Sequence, residues 1–199
     1  MVEFRDVVRR RKMVRTYDAR PVAPEVVERI LTNARRAPSG GFSQGVAFLV
    51  LQGPEETSRF WEAVAVHGDA AWHRGVRRAP VVVIPLASKK VYLDRYAEED
   101  KGWTDRDESR WPVPFWIVDA AFASMSILLS AVDEGLGALF FGLEAEGCEG
   151  LRRAFAVPED WEPIGAVAIG HPAASDPVPS SRDTRPRKPA GEVVHRGRW

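Results

Sequence analysis

The apolar positions between Phe115 and Gly142 form the longest nearly uncharged stretch of the chain. Large apolar side chains recur there every three or four residues, which is the spacing of a helix. They are Phe115, Val118, Phe122, Met125, Leu129 and Val132. Small Ala and Ser residues fill the positions between them, so the pattern predicts a helix that is apolar all round and buried on all sides. Gly135 and Gly137 end this helix, and Ala138 to Phe141 is predicted to be a short buried strand.

The same stretch is long enough to cross a bilayer, because about 18 apolar residues suffice for a span. Asp119 lies inside it, serines interrupt it, and no cluster of Lys or Arg flanks it. These features favour a buried core helix over a membrane span, so we expect no membrane partner.

Elsewhere the hydropathy pattern alternates between helices and strands. Further helices are predicted at residues 3–11, 24–36, 55–67 and 151–155, and further strands at 46–52, 80–86 and 164–169. Residues 12–22 are predicted to be an extended arm, and residues 37–45 a loop rich in Gly and Ser. The strands are apolar without period-two alternation, which indicates a sheet covered on both faces.

A long polar segment, residues 87–114, separates two of these elements. It carries four large aromatic side chains, Tyr92, Tyr96, Trp103 and Trp111. Long loops in compact domains usually have a function, so this segment is a candidate lid over a substrate. The alternative is that its aromatic side chains lie at the surface and pack on their own loop.

The composition is that of one domain spanning residues 1–199, without internal repeats or a domain linker. The 28 basic and 28 acidic residues balance, so no overall field favours nucleic acid or a membrane surface. The single cysteine, Cys148, and the lack of a recognisable secretory signal favour the cytoplasm. Cys148 is expected in a polar loop whose acidic neighbours raise its pKa, which argues against a catalytic thiol.

The usual catalytic and metal-binding motifs are absent from the sequence. The four histidines lack metal-ligand spacing and are expected at the surface or as caps, so we predict no metal site. No Walker A loop and no GxGxxG motif follow a strand, which argues against a Rossmann dinucleotide site. We also predict no catalytic side chain.

Both ends of the chain are rich in arginine. If the tail returned beside the N-terminal arm, Arg11, Arg15, Arg185 and Arg187 could converge on one anion, because guanidinium forks match phosphate oxygens. The loop 37–45 could then offer backbone N–H groups and polar side chains to a planar ring. This arrangement would suit a phosphorylated cofactor. The alternative is that both basic ends are simply solvated.

Four segments, in order, resemble the FMN-dependent nitroreductase family. Residues 11–17, RKMVRTY, followed by Arg20-Pro21-Val22, are similar to the family's arm Arg-Arg-Ser-x-Arg-x-Phe. Residues 37–45, APSGGFSQG, resemble its loop Ala-Pro-Ser-x-x-Asn-x-Gln-Pro. Residues 119–142 match its central helix and Gly-Leu-Gly turn, and residues 185–199 match its basic terminal segment. The resemblance covers nearly the whole chain.

The resemblance implies an α+β fold in which helices surround a central, mostly antiparallel sheet. It also implies a domain-swapped homodimer in which the C-terminal extension, residues 172–199, reaches onto the partner. The central helix would lie in the dimer core, and two FMN molecules would sit at the interface.

The resemblance also assigns the residues that bind the cofactor. Arg11, Lys12 and Arg15 would contact the phosphate and ribityl chain, with Met13 between them. Arg185 and Arg187 would close on the phosphate. Pro38, Ser39 and Gly40 would lie by the isoalloxazine ring, from the opposite subunit, and Gln44 would bond its pyrimidine edge. Phe141 and Gly142 would bring a backbone N–H near the flavin N5, where a donor favours the reduced flavin.

Three positions depart from the family pattern. Met13 stands where Ser is common, which removes a hydroxyl group from the phosphate site. Phe42 replaces Asn, and Gly45-Val46 replaces Pro-Trp, so the pocket beside the ring is expected to differ. These departures leave two alternatives to a standard member of the family: a protein that binds a deazaflavin, or one that binds FMN and acts on unusual substrates.

The function implied is that of an oxidoreductase that passes electrons from NAD(P)H through FMN to a small nitroaromatic or quinone-like acceptor, by a ping-pong mechanism. One alternative is a protein of the same fold that binds or stores a flavin or deazaflavin without turnover. The other is a non-enzymatic dimer whose basic ends bind nucleic acid, which the lack of interleaved aromatic residues disfavours.

Overall fold

The computed structural model describes residues 3–64, 71–174 and 181–199. The helices are α1 (Phe4–Arg10), α2 (Pro24–Ala34), α3 (Pro54–Ala63), α4 (Ala71–Val76), α5 (Lys89–Tyr96), α6 (Phe115–Asp133), α7 (Ala145–Phe155), α8 (Ser181–Thr184) and α9 (Ala190–Val193). The strands are β1 (Val46–Gln52), β2 (Val81–Ala87), β3 (Gly137–Phe141), β4 (Glu162–Pro163) and β5 (Ala166–Gly170).

The strands form one antiparallel sheet in the order β1-β2-β5-β3, and the short β4 pairs with the end of β2. The register places Val46 opposite Ala87, and Phe141 opposite Ala166. Every residue of β2 and β5 is buried, as expected for strands covered on both faces. The predicted α+β class with an antiparallel sheet among helices is confirmed.

Helix α6 packs against α2 and the sheet through one side only. Ile127, Leu128 and Ala131 join the core that α2 and the sheet share. Phe115, Phe122 and Met125 are 41, 48 and 47 % exposed. The prediction that this helix is buried on all sides is therefore wrong for the single chain, because hydropathy does not distinguish a core face from an exposed apolar face.

The length of α6 and its mean hydropathy of 1.8 would allow it to cross a membrane. However, 56 % of the 18-residue apolar stretch concerned is buried inside the protein. Core helices of globular proteins meet the same criterion, so the finding adds little weight to a membrane span.

The N-terminal arm lies along the edge strand β3. The N–H of Val14 donates to the carbonyl of Ala138 at 3.1 Å, and the N–H of Asp18 donates to the carbonyl of His171 at 3.0 Å. Between them Tyr17 is fully buried, and its hydroxyl donates to the carbonyl of Ala168 at 3.1 Å. The extended arm predicted from the sequence is thus fixed to the sheet.

Several elements differ from the sequence prediction. Helices α4 and α5 were not predicted, and α7 begins at Ala145 rather than Leu151. Helix α3 ends at Ala63, and residues 65–67 of the predicted helix lie outside the described ranges. The sequence prediction began α7 too late because Gly150 lies inside the helix, and glycine is a poor helix former. A Cβ there would collide with the carbonyl of Ala63, so the glycine allows α7 to approach α3 closely.

Candidate functional site

The basic arm and the edge of β3 form the first part of the site. Arg11, Lys12 and Arg15 flank the point where Met13 bridges to Ala138, and Arg15 Nη1 donates to the carbonyl of Met13 at 3.2 Å. The partly buried Met13 side chain packs against the hydrophobic core. The structure therefore brings three predicted cations to one sheet edge.

The end of β3 presents backbone rather than side chains. The Phe141 ring is 9 % exposed and stacks on Trp61, with ring centroids 5.6 Å apart, so this side chain belongs to the core. Gly142 is exposed, and a Cβ on it would meet no atom within 4 Å among the described residues. A ligand can approach the backbone here, as the predicted contact with a flavin ring requires.

The loop 37–45 forms the second part of the site. Pro38, Ser39 and Gln44 line a cavity of about 200 Å³ at the start of β1. The N–H of Gln44 donates to Ser39 Oγ at 3.1 Å, and Ser43 Oγ donates to the carbonyl of Gly40 at 2.6 Å. Phe42 also lines the cavity and is 74 % exposed. Pro38, Ser39 and Gln44 thus share one concave surface, whereas Gly40, the other predicted ring-binding residue of the loop, does not line it.

The two parts lie on opposite edges of the sheet. Gln44 precedes β1 and Gly142 follows β3, and β2 and β5 separate those strands. Neighbouring strands are about 4.8 Å apart, so the two edges are roughly 14 Å apart. The register shows that both residues lie towards the same end of the sheet. A single chain therefore holds the two groups of predicted site residues on separate surfaces.

Arg185 and Arg187 lie exposed in the tail. Within the described residues no side-chain hydrogen bond or ion pair joins either guanidinium to the arm. Residues 175–180 of the predicted extension lie outside the described ranges. Convergence of the tail on the arm therefore stays a prediction.

The segment 87–114 is more ordered than the sequence indicated. Its first part is helix α5, and Tyr92 on that helix is fully buried. Tyr96, Trp103 and Trp111 pack on one another, with ring centroids 4.6 to 5.5 Å apart. The aromatic residues thus pack largely within their own segment and onto α6, and the lid stays a prediction.

Sequence reasoning missed the role of Asp119. This carboxylate is 3 % exposed, and its Oδ2 accepts hydrogen bonds from the N–H of Gly40 at 2.8 Å and the hydroxyl of Tyr92 at 2.6 Å. Burial, and then the bond to Asp119, raise the pKa of Tyr92. The available signal was a carboxylate in the middle of a largely apolar helix, since such residues are rarely buried without partners.

Cys148 and His73 differ from their predicted surroundings. Cys148 lies in α7 rather than in a polar loop, and its pKa is raised, as predicted, but chiefly by burial. It lines a second cavity of about 440 Å³, which contains none of the predicted site residues. His73 is 8 % exposed and so is not at the surface. Among the described residues no cluster of His, Cys, Asp and Glu could hold a metal ion.

The fold is α+β, and the predicted cofactor-binding residues lie on irregular segments at two sheet edges rather than in a nucleotide-binding fold. A family model described as "Nitroreductase family" matches residues 8–171. A protein of Methanothermobacter thermautotrophicus is 31 % identical over 89 % of this chain and 80 % of its own length, and its provisional name is NADH dehydrogenase/NAD(P)H nitroreductase. The chain belongs to the nitroreductase family, as its motifs predicted.

Two further relatives have informative names. The FMN reductase [NAD(P)H] of Bacillus subtilis is 26 % identical over 92 % of this chain and 69 % of its own length. A provisionally named nitroreductase from Exiguobacterium sibiricum, solved in complex with FMN, superposes with a TM-score of 0.72 at 20 % identity, covering 98 and 97 % of the two chains. The structural match supports the fold. The predicted oxidoreductase activity and FMN cofactor agree with what these names say of the relatives.

Proposed function

We propose that this protein is an FMN-dependent oxidoreductase that passes electrons from NAD(P)H to a small organic acceptor, nitroaromatic or quinone-like, by a ping-pong mechanism. Bound FMN supplies the hydride chemistry, since its isoalloxazine ring takes up and releases electrons. The residues of the chain bind and orient the cofactor and exclude water, so no side chain need act as nucleophile or metal ligand.

The observation that carries this proposal is the arm bound along β3. It fixes Arg11, Lys12 and Arg15 along β3 near Ala138, and the same strand leads to Gly142, whose backbone is exposed. Guanidinium and ammonium groups suit a phosphate, and a free backbone N–H suits an electron-rich ring edge. The residues present therefore fit FMN, with its anionic and planar ends held by different parts of one edge.

The exposed face of α6 supports a homodimer. Phe115, Phe122 and Met125 are about half exposed and follow one another at helical spacing, with Phe4 and Val8 of α1 also exposed. A contiguous apolar surface of this kind suits a second copy of the chain, because obligate dimers bury apolar faces. NAD(P)H and the acceptor are the small-molecule partners we propose, and the single free cysteine fits the cytoplasm.

A dimer also explains the two separate surfaces. The loop cavity of about 200 Å³ is smaller than the 300–1,000 Å³ typical of ligand pockets. In the proposed dimer Pro38, Ser39, Gly40 and Gln44 of one chain complete the site that the partner's arm and β3 begin. The C-terminal extension, with Arg185 and Arg187, closes over the phosphate across the interface.

The test is steady-state NAD(P)H oxidation by the FMN-loaded protein, with and without a quinone or nitroaromatic acceptor. Acceptor-dependent turnover with parallel double-reciprocal plots is the expected result. Flavin binding with no turnover would instead favour the storage alternative, which the substitutions at Met13 and Phe42 motivate. Steeply salt-dependent binding to DNA by a protein that binds no flavin would favour the nucleic-acid alternative.

A further inference from the structure

Asp119 joins two segments that are distant in the sequence. Its Oδ2 accepts from the N–H of Gly40 in the loop and from the hydroxyl of Tyr92 on α5. All of these groups lie at or near the loop cavity, which Asp119 itself lines. Burying a carboxylate is costly unless donors compensate it. Within the described ranges the salt bridges do not include Asp119. The N–H of Gly40 and the hydroxyl of Tyr92 are therefore the donors that offset the cost of burying this carboxylate.

Helix α5 also fits closely against the loop. Arg95 Nε donates to the carbonyl of Gly41 at 3.0 Å. The N–H of Ser88, the residue before α5, donates to the carbonyl of Gly45 at 2.9 Å. A Cβ on Gly41 would lie 2.7 Å from the Tyr96 ring, and one on Gly45 would lie 2.5 Å from the Tyr92 ring. The glycines therefore let the loop lie directly on α5.

The loop conformation is one that the chain does not adopt freely. Phe42 and Gln44 have φ angles of 53° and 56°, in the left-handed region that non-glycine residues seldom occupy. Such a conformation persists only where surrounding contacts over-determine it. The bonds to Asp119 and α5 supply those contacts on one side of the loop.

The geometry points to Asp119 as a positioning residue that, with Tyr92, fixes the 38–45 loop in the conformation that binds the cofactor ring. This inference rests on the proposed function for its cofactor, but the anchoring itself is a property of the protein alone. A pre-organised loop binds with less loss of conformational freedom than one that must be ordered by the ligand.

Three variants test this role. Asp119→Leu removes the acceptor, Asp119→Asn keeps an acceptor oxygen, and Ser124→Ala is the matched control. Ser124 lies on the same helix at 4 % exposure, and its hydroxyl donates only within α6, to the carbonyl of Ala120 at 2.7 Å. The first measurement is the dissociation constant of FMN, from quenching of its fluorescence by the apoprotein.

Asp119→Leu is expected to weaken FMN binding about tenfold, the effect of losing one hydrogen bond to a charged group. Asp119→Asn should restore binding to within about threefold, and Ser124→Ala should leave it unchanged. Wild-type affinity in Asp119→Leu, or equal losses in Asp119→Leu and Ser124→Ala, would overturn the assignment. If Asp119→Leu does not fold, Tyr92→Phe, which removes one donor to Asp119, is measured instead. Unchanged FMN affinity in Tyr92→Phe would also overturn the assignment.

The second measurement needs no cofactor. Amide hydrogen exchange of peptides covering residues 38–45 in the apoprotein should accelerate in Asp119→Leu and not in Ser124→Ala. Unchanged exchange would overturn the anchoring role. If the wild-type protein binds no FMN, the proposed function fails, while this exchange measurement still decides whether Asp119 anchors the loop.

Discussion

Val14 donates its backbone N–H to the carbonyl of Ala138 at 3.1 Å, which attaches the N-terminal arm to the outer edge of β3. This bond fixes the direction of the arm, so that Arg15 follows directly after a residue bound to the sheet. A cation whose backbone is already held by a rigid element loses less backbone entropy on binding an anion than one on a free terminus. The arm is thus a structural element of the proposed phosphate site.

The first prediction concerns the cations on the arm and tail. Replacing Arg15 and Arg187 together with Ala should weaken FMN binding by at least about 100-fold, because each would lose a charge-assisted bond to the phosphate. Equilibrium dialysis with FMN measures the change. Arg153→Ala, an exposed arginine on α7, is the control and should bind FMN normally. Full FMN retention in the double variant would contradict the phosphate assignment.

The second prediction concerns the exposed face of α6. The double variant Phe122→Asp, Met125→Asp should be monomeric by size-exclusion chromatography with light scattering, because dimerisation would bury two uncompensated charges from each chain. It should also lose FMN, since each proposed site needs both chains. The control replaces both residues with Leu, which keeps the face apolar and should preserve the dimer. A dimeric Asp variant would place the interface elsewhere.

The third prediction concerns Phe42. Asn tolerates a left-handed φ better than Phe does, so Phe42→Asn should leave the melting temperature unchanged or raise it by about 1–2 °C. The exposed ring can stack on a planar acceptor, so the KM for a quinone should rise about three- to tenfold with kcat unchanged. Ferricyanide, which has no ring, is the control acceptor. An equal change for both acceptors would show that Phe42 does not contact the substrate.

The fourth prediction concerns pH. Arg29 donates two hydrogen bonds to Glu134, from Nε to Oε1 at 2.8 Å and from Nη2 to Oε2 at 2.7 Å, and these bonds lower the pKa of Glu134 below its ordinary value of 4.5. A lowered pKa in the folded state stabilises the protein above pH 4.5, and this contribution is lost as the pH falls through the folded-state pKa. Glu134→Gln should therefore reduce the melting temperature by about 1–2 °C at pH 7, and this difference should shrink progressively as the pH falls below 4.5. A pH-independent difference would contradict this account.

The sequence predicted the elements with strong local patterns. The periodic apolar run gave α6 almost to the residue, and the Val-rich run of β2 indicated a buried strand. Helix α5 was missed because KKVYLDRY has charges on both sides of its single buried residue, Tyr92. Local periodicity carries no information about a helix held mainly by one side chain and its partners.

The site was predictable only in part. The family motifs named the residues of the arm, the loop and the strand end, and the sheet order then explained why they form two separate surfaces. The bond between Asp119 and Gly40 joins residues 79 positions apart, so no local pattern contained it. Likewise, an apolar helix face looks the same in the sequence whether it meets a core or a partner subunit.

The central claim, that the chain binds FMN, is tested most directly by the visible spectrum of the purified protein and of its supernatant after denaturation. The account predicts a yellow protein with oxidised-flavin absorbance and FMN released in about one equivalent per chain, since a dimer with two sites holds two. A colourless protein that also fails to take up added FMN would contradict it.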